Sequence, residues 1–134
     1  MNNIPRMALS SAALVTLSAC GLGGPAHDAV KPGTVGVDMG FARFEPATIH
    51  IKAGQTVAFR NNALITHTVT DDPAKAMEAK DAVLPAGAPA FDSGDLPPGQ
   101  VYTRTFTVPG TYTYFCMHHE SSGMVGTVIV DPAS

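Results

Sequence analysis

The chain contains no tryptophan, only two cysteines, and few charged residues, which make up 14% of its 134 positions. Two cysteines exclude a disulfide-dense scaffold. The formal net charge of −3 argues against nucleic acid as a partner, because proteins that bind nucleic acid carry an excess of positive charge. No apolar run reaches the roughly 18 residues that a membrane-spanning helix requires. We expect one small domain, present as a monomer. It is built without disulfides if, as argued below, Cys20 is acylated and Cys116 binds a metal.

The first 19 residues have the pattern of an export signal. Arg6 precedes an apolar stretch, residues 7–19, that is too short to span a membrane. The stretch ends in Leu17-Ser-Ala-Cys20, which resembles a bacterial lipobox and implies acylation of Cys20. An ordinary signal peptide with a chance cysteine is the alternative. Residues 20–33 predict a Gly- and Pro-rich tether, and we expect an exported lipoprotein anchored on the periplasmic or extracellular side of a membrane.

Residues 34–134 predict an all-β domain, since short alternating segments are separated by turn residues. The region 71–100 is the exception. Asp72-Pro73 predicts the start of a short helix over residues 74–83, and an irregular loop is the alternative for this region. The predicted strands are Thr34–Met39, Thr48–Lys52, Thr56–Asn61, Ile65–Thr70, Val101–Val108, Thr111–Cys116 and Gly126–Asp131.

A cluster of metal-ligating residue types follows the sixth predicted strand. Cys116, His119 and Met124 have the spacing Cys-x2-His-x4-Met, and His67 lies 49 residues upstream of the cysteine. One thiolate, two imidazoles and one thioether form the ligand set of a blue-copper electron-transfer site. Gly123 supplies a residue free to adopt positive φ just before the methionine. Taken singly, each of the four is more often a core or structural residue than a ligand.

Two segments resemble the plastocyanin/pseudoazurin branch of the cupredoxins. They are Gly110-Thr-Tyr-Thr-Tyr-Phe-Cys-Met-His-His with its continuation to Val130, and Phe44 to Val69. The resemblance extends over residues 34–131. It implies a Greek-key β-sandwich that holds one copper ion with His67, Cys116, His119 and Met124. It also implies that His119, not His118, is the ligand and lies on the exposed rim.

Two positions depart from the pattern of that family. Phe115 stands where plastocyanins usually carry tyrosine, and Thr68 stands where the family often has asparagine. The Thr68 hydroxyl can still form a hydrogen bond across the ligand loops. Neither departure changes a metal ligand, so we expect them to affect the partner surface more than the metal centre.

These observations predict a one-electron carrier between redox-protein donors and acceptors. Delivery of Cu(I) outside the cytoplasm is the alternative, since the same ligands could serve it. We expect no catalytic residues. Nothing orients His119 as a base for a nucleophilic Cys116. Asp92 and Asp95 are interpreted as solvated turn residues rather than as a catalytic pair. Zinc is a weaker choice of metal, since a thioether is not among its usual ligands. A small apolar docking surface could include Leu64, Pro97, Pro98 and Met117.

Overall fold

The protein is a β-sandwich of two sheets in a computed structural model that describes residues 33–134. The predicted signal peptide and almost all of the predicted tether lie outside these residues. One sheet has the order β2-β1-β4-β5 and the other has the order β3-β7-β6. The strands are β1 Val35–Met39, β2 Phe44–Glu45, β3 Thr48–Lys52, β4 Thr56–Asn61, β5 Val101–Thr105, β6 Gly110–Phe115 and β7 Val125–Asp131.

Strand alternation explains why the two sheets pack face to face. In β3, Ile49 and Ile51 are buried and the residues between and beside them are exposed. In β6, Tyr112 and Tyr114 face the interior, as the period of two predicts. Burial of such apolar side chains supplies the main driving force for the fold. This confirms the predicted all-β class and the core position of both tyrosines.

The register brings the ends of strands from both sheets together. β1 runs parallel to β4, from the Val35–Val57 pair to the Met39–Asn61 pair. β6 runs antiparallel to β7, and its last residue, Phe115, pairs with Val125. The chain leaves β4 and β6 at the same end of the sandwich, which we call the metal end. The start of β1 lies at the opposite end.

A tight contact beneath the metal end joins β6 and β7. Gly126 lies opposite Tyr114, and a Cβ atom at Gly126 would stand 2.4 Å from Cζ of the tyrosine. The ring of Tyr114 is fully buried and packs edge-on against Phe44 and Phe59. The position therefore requires glycine because the aromatic ring occupies the space of a side chain.

Several predicted elements differ from the structure. The segment 65–70 is not a strand, because His67 and Thr70 make only isolated bridges, to Leu96 and to Asp92 and Phe115. The continuous helix predicted over 74–83 does not form, and the alternative, an irregular region, is confirmed. Asp72 does cap a turn there, but the region contains only two 3-10 turns, Pro73–Lys75 and Ala79–Asp81.

Two smaller differences concern strand boundaries. Strand β2 was not predicted from the sequence, and β5 ends at Thr105 rather than at Val108. Strand β2 has only two residues and pairs with the end of β1, so it is too short to show an alternating pattern of its own. Within residues 33–134 the structure has no helix long and apolar enough to cross a membrane.

Candidate metal centre

Three metal-ligating side chains converge at the metal end. The ligand atoms of His67, Cys116 and His119 all lie within 4.8 Å of one another. The Cys116 sulfur is 3.7 Å from Nδ1 of His67 and 3.5 Å from Nδ1 of His119. Typical metal bonds are about 2.0 Å to nitrogen and about 2.3 Å to sulfur, so one ion could touch all three atoms.

Hydrogen bonds between two distant segments hold the thiol in place. The Thr68 amide donates to the Cys116 sulfur at 3.3 Å, and the Met117 amide donates to the Thr68 hydroxyl at 2.8 Å. Thr70 and Phe115 exchange two backbone hydrogen bonds just below. The predicted hydroxyl bond of Thr68 across the ligand loops is therefore confirmed.

His67 is fully buried, and its backbone exchanges two hydrogen bonds with Leu96, of 3.1 and 2.8 Å. Burial is the main cause that lowers the pKa of His67, and the positive charge that His119 could carry lowers it further. The backbone of Gly40 has a smaller and opposite effect, which raises the pKa of His67. Nε2 of His67 has no hydrogen-bond partner of ordinary geometry among the described residues. Both leading causes favour the neutral imidazole, which is the form that binds a metal.

Met124 is fully buried and belongs to the same core cluster as Cys116. Its amide donates to the carbonyl of His119, and its carbonyl accepts from the amide of Cys116, both at 3.1 Å. Gly123 has a φ of 80°, which confirms the predicted positive φ. Residues 116–124, the ligand loop, therefore form a closed turn that returns the chain to the metal end.

The two adjacent histidines point to different partners. Nδ1 of His119 faces the Cys116 sulfur, whereas Nε2 of His118 lies 2.8 Å from a carboxylate oxygen of Asp95. His118 is exposed and His119 is half-buried. His118 is thus engaged at the surface, away from the cluster of donors.

The donor set fits copper better than zinc. Cys116 and Met124 offer soft sulfur, and the two imidazoles suit either oxidation state of copper. The three closest donors face one another in a largely buried site, and the Cys116 sulfur accepts a hydrogen bond from the Thr68 amide. These properties match a single type 1 copper site.

Three side chains near the site have an exposure that the sequence did not predict. Phe41, in the turn after β1, is 80% exposed, and Glu120, in the ligand loop, is only 5% exposed although it is acidic. Phe115 is fully buried beneath the segment that follows β4, so the expectation that this position affects the partner surface is wrong. Charge and strand period do not predict how exposed these side chains are, because the exposure of each one depends on which segment covers it.

Comparisons with known proteins agree on one family. The model of copper-binding proteins of the plastocyanin/azurin family matches residues 32–131. Chloroplastic plastocyanin of Tetradesmus obliquus is 43% identical over 96 residues, a match that spans 72% of this chain and 63% of the relative. Chloroplastic plastocyanin of Hordeum vulgare is 35% identical over 133 residues, or 96% of this chain and 79% of the relative. A solved structure of a reduced amicyanin variant is 30% identical with a TM-score of 0.60, over 77% of this chain and 87% of that one.

Proposed function

Since this chain belongs to the plastocyanin/azurin family of copper-binding proteins, we propose that it carries single electrons between redox proteins outside the cytoplasm. The observation that supports the proposal most directly is the convergence of the donors of His67, Cys116 and His119 within 4.8 Å at one end of the sandwich. Met124 would be the fourth donor, a thioether, because it closes the same loop and belongs to the same buried cluster as Cys116.

Copper bound there would supply a Cu(I)/Cu(II) couple that gains and loses one electron. The role of the protein is to hold the donors in nearly the same place throughout. Cys116 and Met124 are tied to each other by a backbone hydrogen bond, and Cys116 is tied to Thr68. Donors held in this way need little rearrangement when the charge on the site changes, which favours rapid exchange of an electron.

Burial distinguishes a carrier from a delivery protein. His67, Cys116 and Met124 have no exposed surface, so an acceptor of copper could reach only the edge of His119. Transfer of the ion would require the ligand loop to open. Transfer of an electron through the edge of His119 would not. This difference favours the electron carrier over copper delivery.

The surface around the metal end suits a protein partner. Leu64 is 94% exposed, Phe41 is 80% exposed and Met117 is partly exposed. The amide of Asn62 donates to the carbonyl of Met39, which joins the loop of Leu64 to the turn of Phe41. Exposed apolar side chains at the end of the sandwich that carries a partly exposed ligand favour a redox partner with an apolar contact surface.

The start of the domain is compatible with an anchor at Cys20. Val35, the first residue of β1, pairs with Val57 near the start of β4, at the end opposite the metal end. A lipid-anchored tether would therefore join the sandwich far from the metal end and leave that end open to partners. We retain export and acylation of Cys20 as part of the proposal, together with the division into residues 1–19, 20–33 and 34–134.

A visible absorption spectrum of the copper-loaded protein tests the electron-carrier function. We expect an intense thiolate-to-copper charge-transfer band in the oxidised protein, and loss of this band in Cys116→Ser. Repeated cycles of reduction and oxidation should leave the copper bound. A colourless Cu(II) complex would contradict the proposal, whereas rapid loss of Cu(I) to a competing chelator during each cycle would favour copper delivery.

Cell fractionation tests the anchor independently. Wild-type protein should remain with membranes until detergent is added, and Cys20→Ser should be released into the soluble fraction. Equal membrane association of the two proteins would refute acylation of Cys20 and leave the metal site untouched.

A further inference from the structure

Glu120 is a buried carboxylate whose role the metal ligands do not explain. It is 5% exposed and follows His119 directly in the ligand loop. One carboxylate oxygen accepts hydrogen bonds from the amides of Met77 and Glu78, at 2.9 and 3.0 Å, and the other accepts from Met77 at 2.9 Å. Burial of a carboxylate is costly unless hydrogen bonds compensate it, so these contacts are a specific feature of this loop.

We propose that Glu120 is a positioning residue that keeps the partly exposed donor of the copper site in a fixed position relative to the buried donors. The inference rests on the proposed function, since it assigns His119 to the copper. Glu120 begins the 3-10 turn Glu120–Ser122, and His119 caps that turn. A displacement of Glu120 is therefore transmitted directly to the backbone of His119.

Backbone contacts explain how the effect reaches the other donors. The amide of His119 donates to the carbonyl of Cys116, and the carbonyl of His119 accepts from the amide of Met124, both at 3.1 Å. These bonds close the loop on itself but do not join it to the rest of the molecule. Glu120 joins the middle of the loop to residues 77–78, which belong to the connection between β4 and β5.

A second link between the same two regions provides a comparison. His118 and Asp95 also join the ligand loop to that connection, but their side chains are 44% and 67% exposed. An exposed pair of this kind contributes little to stability because water and salt compete for both groups. Hydrogen bonds from amides to a buried carboxylate are stronger and are lost completely when the side chain is removed. We therefore assign the positioning role to Glu120 and not to the His118–Asp95 pair.

The test compares Glu120→Ala, Glu120→Gln and the control Asp95→Asn in the otherwise intact protein. In Glu120→Ala, copper should pass to an excess chelator at least about tenfold faster, since hydrogen bonds to a charged group are lost. The visible and electron paramagnetic resonance spectra of the oxidised protein should also change. Glu120→Gln should recover most of both properties, because one side-chain oxygen can still accept both amides. Asp95→Asn should resemble wild type.

A measurement on copper-free protein separates this inference from the proposed function. Amide hydrogen exchange at Met77, Glu78 and His119 should be faster in Glu120→Ala than in wild type and in Asp95→Asn. A colourless wild-type protein would contradict the electron-carrier function but would leave this exchange result informative. A lower melting temperature in Glu120→Ala with unchanged spectra, chelator release and His119 exchange would overturn the inference, because it would show a merely structural carboxylate.

Discussion

The buried and the exposed parts of the metal centre differ in how completely the fold covers them. His67, Cys116 and Met124 have no exposed surface, and backbone hydrogen bonds fasten each of them to the sandwich or to the loop. His119 is half-buried, and its neighbour His118 is exposed and paired with Asp95. Backbone hydrogen bonds within the ligand loop also hold His119, so the two parts differ mainly in how closely other side chains pack around each donor.

This difference has a physical consequence for electron exchange. A buried donor surrounded by packed side chains has few alternative positions, because protein interiors are close-packed. A donor at the surface has fewer neighbours, but an electron can reach a partner through it over a shorter distance. The centre therefore combines a fixed interior with one accessible edge. Changes to the two parts should have distinguishable effects.

The largest expected effect comes from the exposed part and tests which histidine belongs to it. His119→Ala should abolish the charge-transfer band, since it removes a donor that faces the thiol at 3.5 Å. His118→Ala should keep the band, because that side chain contacts Asp95 instead. Absorption spectra of the two copper-loaded variants check this. Loss of colour in His118→Ala with its retention in His119→Ala would reverse the assignment.

The next effect concerns the packing beneath the buried part. Gly126→Ala would place a methyl group 2.4 Å from the ring of Tyr114, which is fully buried and cannot move aside. Overpacking of this kind costs about 3 kcal/mol of unfolding free energy. Urea unfolding of the copper-free protein measures it. Gly99→Ala is a control for a glycine with open space around it, although its positive φ adds a smaller cost. Equal stability of Gly126→Ala and wild type would show that the interior adapts.

A smaller change within the buried part tests the axial position. Met124→Gln should lower the reduction potential, because a harder oxygen donor stabilises Cu(II), and Met124→Leu should raise it. Both variants should still bind copper, since the other three donors remain in place. Redox titration monitored by the colour checks both directions. Unchanged potentials in both variants would place Met124 outside the coordination sphere.

The last expected effect concerns a buried carboxyl group away from the donors and depends on the pH. Burial raises the pKa of Asp71 to about 6, while the Phe91 amide and Arg104 act to lower it. Between pH 4 and 6 the folded protein therefore retains a proton that the unfolded chain releases. The contribution of Asp71 to stability is greatest below pH 4 and is lost as the pH rises through 6.

Asp71→Asn should remove this dependence and keep the oxygen that accepts the Phe91 amide. The variant should be more stable than wild type at pH 8 by up to about 3 kcal/mol, and the two should converge near pH 4. The measurement is the difference in unfolding free energy between the two copper-free proteins. The histidines are the same in both, so their contribution cancels and the effect of Asp71 remains. A difference that is constant from pH 4 to pH 8 would contradict the raised pKa.

The sequence by itself determined the features that are encoded over a few residues. Strand period determined the all-β class and the inward direction of Tyr112 and Tyr114. The spacing within the ligand loop, with Gly123 at its required positive φ, determined that Cys116 and His119 meet. Such patterns can be read without the fold because each depends on local geometry. The residue types also indicated the upstream partner, His67, and the structure brings it to the same cluster.

Only the tertiary structure decided what covers each of these residues. The segment 65–70 looks like a strand, yet it makes single bridges because its partners are a loop and the end of β6. Phe115 is buried, Phe41 is exposed and Glu120 accepts amides from residues more than 40 positions away. Contacts over such separations depend on how the two sheets are stacked, and no local pattern of residue types carries that information.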